Sequence, residues 1–156
     1  MPIERLRAYA LTAALILPAA LSSPAYADRC DDLARQLKSQ IDGLSVGRTA
    51  ANVIYLAHPA AKQLRLGCTN RSVTNELFAQ SLTRKPAPAF TDLVASAGAI
   101  IFTIPKQDTR TGATRCLGRM GLLRGNDIKM RFRRLDFRCT RDKTTAAISV
   151  SRGRNE

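Results

Sequence analysis

Residues 114–141 read TRCLGRMGLLRGNDIKMRFRRLDFRCTR, and the alternation in the second half of this stretch decides the fold class. Ile128, Met130 and Phe132 alternate with Lys129, Arg131 and Arg133, the period of a strand with one apolar and one charged face. The alternation then slips by one, because Leu135, Phe137 and Cys139 continue on odd numbers. A β-bulge at Arg133-Arg134 restores a single apolar face to one long strand. Downstream, Arg141-Asp142-Lys143 reads as a turn, Ala146, Ile148 and Val150 alternate again, and residues 152–156 read as a frayed end. Upstream, residues 106–112, KQDTRTG, read as a turn cluster and residues 113–123 as a further strand. The expectation is an antiparallel meander of three to four strands.

The preceding chain reads as helical. Leu33, Leu37 and Ile41 recur four apart in residues 28–42, behind an acidic first turn of Asp31 and Asp32 and ahead of a closing Gly43. Residues 50–66, AANVIYLAHPAAKQLRL, read as a second, alanine-rich helix kinked at Pro59. Residues 69–72 read as a turn and cap, followed by a short helix over residues 73–82. The proline-rich RKPAP at 84–88 marks a boundary between halves. Residues 99–104, AIIFTI, are bounded by Gly98 and Pro105 and read as a strand, with one helix running from Phe90 through Ile104 as the competing assignment. The fold class expected is therefore α+β. N-terminal helices (28–85) pack on one face of a C-terminal sheet half (98–151), in one domain spanning 28–156.

The N-terminus has the form of an export signal. Arg5 and Arg7 precede an apolar run over residues 8–21, and Ala25-Tyr26-Ala27 has the small residues of a cleavage site, so residues 1–27 read as a cleaved secretory signal. Four cysteines follow it, Cys30, Cys68, Cys116 and Cys139, an even count that in an exported chain reads as two disulfides. If the first two helices form an antiparallel hairpin, Cys30 lies near Cys68, leaving Cys116 to Cys139. No C-x-x-C occurs, so neither a thioredoxin-like site nor a zinc knuckle has support. The expected location is periplasmic or secreted, with no membrane span after signal cleavage.

Charge points to a binding role. Residues 28–104 carry 9 Lys/Arg against 6 Asp/Glu, and residues 105–156 carry 14 against 5, so the positive charge is concentrated in the sheet half. Arg115, Arg119, Lys129, Arg131, Arg133, Arg134 and Arg138 form the expected anion-binding surface, since the planar guanidinium fork suits carboxylate and phosphate. The competing reading is a solvated sheet face whose charge blunts aggregation. An exported basic protein meets anionic envelope polymers or acidic proteins, not intracellular nucleic acid, and the lack of Trp removes the obvious base-stacking residues. No nucleotide-binding, zinc-protease or serine-hydrolase motif occurs, and no cofactor or metal site is expected. The single histidine, His58, sits among apolar neighbours and reads as structural. The sequence thus predicts a non-catalytic binding protein for an anionic envelope component or acidic partner. Two alternatives stand beside it: a small hydrolase of envelope polymers, and a structural or inhibitory module that binds protein through its helical half.

Overall fold

A computed structural model describes residues 27–68, 73–121 and 123–153. The alternation in residues 127–141 is that of a hairpin. β5 (Asp127–Phe132) and β6 (Leu135–Arg141) pair antiparallel with Phe132 opposite Leu135, so Arg133 and Arg134 are the entire turn. The slip in phase is therefore a chain reversal between two strands, not a bulge within one. Arg133 at φ 57° provides the left-handed residue that so tight a reversal needs. β7 (Ala146–Gly153) continues the meander, with Phe137 opposite Val150 and Cys139 opposite Ile148. Asp142 closes the β6–β7 turn by accepting hydrogen bonds from the Thr144 and Thr145 amides and from both hydroxyls.

Two of the three helices expected before residue 85 are strands instead. After α1 (Ala27–Gln40), the chain forms β1 (Ser45–Ala50), β2 (Val53–Ala57), β3 (Ala61–Gly67) and β4 (Val73–Ser81), all antiparallel to their neighbours. The physical reason lies in the register of β2 on β3. Leu56 faces Leu64 and Ile54 faces Leu66, so four large aliphatics share one face and all four are buried. Pro59 belongs to a turn, not a kink, and Ala51-Asn52 reverse the chain with φ of 49° and 60°. β4 then pairs with β7, Leu77 opposite Val150, giving a seven-stranded sheet of order β1-β2-β3-β4-β7-β6-β5. Seven strands replace the three to four expected, because the presumed helical half supplies four of them.

The residues from 88 to 119 show the reverse error. α2 (Pro88–Phe102) runs through the segment read as a strand at 99–104, and α3 (Lys106–Arg119) replaces the turn cluster and strand read at 106–123. Thr103 stops α2 in the left-handed conformation, where the Ile104 amide donates back to Ala99 O at 3.3 Å. Gly98 and Gly112 mark close packing. A Cβ on Gly98 would lie 2.6 Å from Thr109 Cγ2, and one on Gly112 would lie 2.4 Å from Phe137 Cζ. Arginines from the sheet cap both helix ends: Arg152 donates to Phe102 O at 2.9 Å, and Arg141 to Met120 O and Leu117 O at 3.4 and 3.3 Å.

The helices cover one face of the sheet. The core between the layers includes Leu37, Phe90, Val94, Leu66, Phe137 and Ile148. Cys30–Cys68 ties the start of α1 to the end of β3, and Cys116–Cys139 ties α3 to β6, the pairing expected from the sequence. Cys68 reaches Cys30 from the end of a strand, not from the end of a second helix. Two disulfides fit an oxidising compartment outside the cytoplasm. Among the described residues no helix is long and apolar enough to cross a membrane. Residues 1–26 of the expected export signal and the turn expected at 69–72 lie outside the described residues, as do 154–156; Ala27, the last residue of that signal, begins α1, and residues 152 and 153, read as frayed, belong to β7.

Candidate ligand-binding face of the sheet

Strand alternation sends every second side chain away from the helices, and the cross-strand registers align these outward residues in rows. One row crosses the sheet without a break. Tyr55 is opposite Arg65, Arg65 opposite Phe78, Phe78 opposite Ser149, Ser149 opposite Arg138, and Arg138 opposite Lys129. Arg48 extends it onto β1, its guanidinium carbon 4.9 Å from the centre of the Tyr55 ring. The Arg65 guanidinium lies 4.0 Å from the centre of the Phe78 ring. The row therefore begins with two arginines stacked on aromatic rings and ends with two cations on β6 and β5. Stacking holds a guanidinium flat while leaving its in-plane N–H groups free to donate.

The middle of the open face is low because β7 contributes small residues. Ser149 and Ser151 floor a trough of about 530 Å³ that Glu76 borders on one side and Lys129, Arg131 and Arg138 on the other. Smaller hollows of about 150 Å³ beside Arg65 and Phe78, and of about 220 Å³ beside Phe78 and Arg138, adjoin it. The face carries acids as well as bases. Arg138 makes a two-pronged ion pair with Asp127 at 3.1 and 2.7 Å, and this bond holds the Asp127 carboxyl below the usual carboxylate range. Arg131 lies 4.0 Å from Asp136. Arg48, Arg65 and Lys129 form no ion pair with any described residue, and of the three only Lys129 also acts on a carboxylate through space, that of Asp127, so theirs is the least compensated charge of the row.

The expected basic surface is divided by the sheet. Lys129, Arg131 and Arg138 share the open face, as their phase required. Arg115 and Arg119 belong to α3 on the covered side, where Arg115 sits 4.9 Å from the Phe132 ring and Arg119 donates to Met130 Sδ at 3.9 Å. Arg133 leans to the same side, 3.8 Å from Asp108 of α3, and Arg134 is exposed at the hairpin turn. The seven residues do not form one surface, because 115 and 119 are helical and 133-134 are a turn. Sequence reasoning missed Arg48, Tyr55, Arg65 and Phe78. The available signal was the alternation of Leu64 and Leu66, and of Leu77 and Ala79, which sets Arg65 and Phe78 on the opposite face.

His58 is held in the β2–β3 turn by both ring nitrogens. Nδ1 accepts from the Ala60 amide at 3.1 Å, which leaves Nε2 as the donor to Asp42 O at 3.0 Å. The hollow beside it, about 340 Å³, is lined by Ser45 and Lys62 but by no acid. Cys30, Cys68, Cys116 and Cys139 are all disulfide-bonded. Among the described residues no group of three or more His, Cys, Asp or Glu is placed to hold a metal. Among the described residues the exposed large apolar side chains are Val46, Leu82 and Leu123, which lie on β1, after β4 and before β5, none of them on a helix. No protein-family model, curated protein or solved structure matches the chain.

Proposed function

We propose that this is an exported, non-catalytic binding protein whose open sheet face holds an anionic component of the cell envelope. The observation that carries the reading is the unbroken row from Arg48 to Lys129, in which cations flank a trough floored by small polar residues. Lys129, Arg131 and Arg138 remain in the binding surface, joined by Arg48 and Arg65. The basic head, apolar run and A-x-A of residues 1–27 support export to the periplasm or beyond, and the two disulfides suit that destination. Both ring nitrogens of His58 are already engaged, which removes the histidine as a free base for a hydrolase.

The test is retention of the oxidised protein on lipopolysaccharide, peptidoglycan, acidic polysaccharide and neutral glycan supports across a salt series. Retention on an anionic support is expected to fall with salt, because exposed charges are screened within roughly 8 Å at physiological ionic strength. Arg65→Glu with Lys129→Glu should abolish it, while Arg115→Glu with Arg119→Glu, the same charge change on the covered side, should leave most of it. Equal loss from both pairs would mean that net charge alone is read and that the open face is not the site.

A further inference from the structure

We infer that the open face is built for a sparsely charged acidic polysaccharide lying across the strands, an inference that rests on that face being the site. The unpaired cations stand on strands one, three and seven of the sheet order: Arg48 on β1, Arg65 on β3 and Lys129 on β5. With strands about 4.8 Å apart, their positions along the row are separated by roughly 10 and 19 Å. A nucleic-acid strand presents a phosphate about every 3.4 Å, and a polyphosphate is denser still, so most of their charges would meet only Arg138 and Arg131, which already face Asp127 and Asp136. They would also meet Glu76 and Asp136, which line the same trough. Those same groups suit uncharged sugars. Carboxylates accept hydrogen bonds from hydroxyls, and Ser149 and Ser151 both donate and accept.

Arg48 and Arg65 set the chemistry of the anion. Each guanidinium sits over a ring, which restricts it before a ligand arrives; at Arg65, whose Nε is buried, the terminal N–H groups are the ones to match a flat two-oxygen carboxylate. A lysine at either place would keep the charge and lose the match. The ligand is thus a chain in which carboxylate-bearing sugars are separated by neutral ones, anchored at its acidic residues by stacked arginines and bridged over the trough by its neutral ones.

Four probes of matched chain length test this: a polysaccharide with a carboxylate on alternate sugars, a polyuronate with one on every sugar, inorganic polyphosphate and a single-stranded oligothymidylate. Calorimetry at physiological salt should rank the alternating polymer first, by at least about tenfold over polyphosphate and oligothymidylate. Arg65→Lys should lose most of that preference while circular dichroism and melting stay as in the parent. If affinity instead rises with charge density across all four probes and Arg65→Lys is silent, the polysaccharide assignment is wrong although the face still binds anions. If no probe binds even at low salt, both the assignment and the anion-binding function fall. The wild-type ranking decides between these outcomes without any variant.

Discussion

Gly112 and Gly118 lie on the same helix and in the sequence both look like breakers, yet only one is needed. A methyl group at 112 would overlap the Phe137 ring, a side chain buried at the centre of β6, whereas a methyl at 118 meets nothing within 4 Å. Gly112→Ala is expected to destabilise by about 1–3 kcal/mol, the usual cost of overpacking a filled core. Gly118→Ala, on an exposed turn of α3, should stabilise by about 0.5–1 kcal/mol through helix propensity. Opposite signs in paired urea melts check both. Asp142 makes a prediction of a different kind. Hydrogen bonds from the Thr145 amide and hydroxyl, and from Thr144, lower its pKa to about 2. A carboxyl depressed in the folded state stabilises it above the unfolded pKa of about 3.9, and that contribution is lost as pH falls toward the folded value. The stability difference between the parent and Asp142→Asn should therefore be largest near neutral pH and shrink between about pH 4 and pH 2. A difference that stays constant over that window would show that the carboxylate charge contributes nothing.

At the level of elements, α2 ends in a way its sequence does not optimise. Thr103 holds φ 52° and ψ 53°, a conformation that crowds a β-branched side chain, and it is exposed, so no packing depends on its methyl. Thr103→Gly should raise stability by about 1 kcal/mol, measured by denaturant melts, with glycine's greater unfolded-state entropy offsetting part of the relief. The same α2–α3 region shows why half of the elements were not legible. In residues 106–119, Thr, Gly and Asp resemble loop composition, and Gly112 is there because Phe137 lies against the helix, a fact about packing that no local window contains. Residues 53–67 satisfy both periods at once, since alanines at 57, 60 and 61 complete a helical stripe that is apolar only in a formal sense. What decided for strands was the pairing of Ile54 with Leu66 and Leu56 with Leu64 around a proline turn. By contrast, α1 and β7 were legible, and the strand character of β5 and β6 though not the reversal between them, because large apolar side chains alone carried their periods. The site followed the elements: Lys129, Arg131 and Arg138 were found where the strand was found, whereas Tyr55 and Arg65 were hidden inside the helix expected at 50–66, Phe78 inside the one expected at 73–82, and Arg48 just ahead of the first.

For the whole molecule, the sheet is two antiparallel meanders joined at β4 and β7, each fixed to a helix by one disulfide. The helix-covered face and the disulfides give a rigid frame, and the open face carries the least compensated charge. The bridges span 38 and 23 residues, and by loop-closure entropy each contributes about 3–4 kcal/mol, with the longer loop ahead by only about half a kcal/mol. Their accessibility differs far more. Cys116 and Cys139 are both 0 % exposed between α3 and β6, while in the other bridge Cys30 is buried but Cys68 is only half-buried at the end of β3. Thiol attack needs access to sulfur, so a mild reductant should open Cys30–Cys68 first and leave Cys116–Cys139 intact until the fold itself opens. Timed alkylation followed by peptide mass analysis reads that order directly. Removing either pair by Cys→Ala should lower the melting temperature by similar amounts, so a large difference in reduction rate beside a small difference in stability is the expected signature. Simultaneous labelling of all four cysteines under native conditions would mean that α3 lifts from the sheet as readily as the end of β3 frays, and that the covered face is not the rigid layer supporting the row from Arg48 to Lys129.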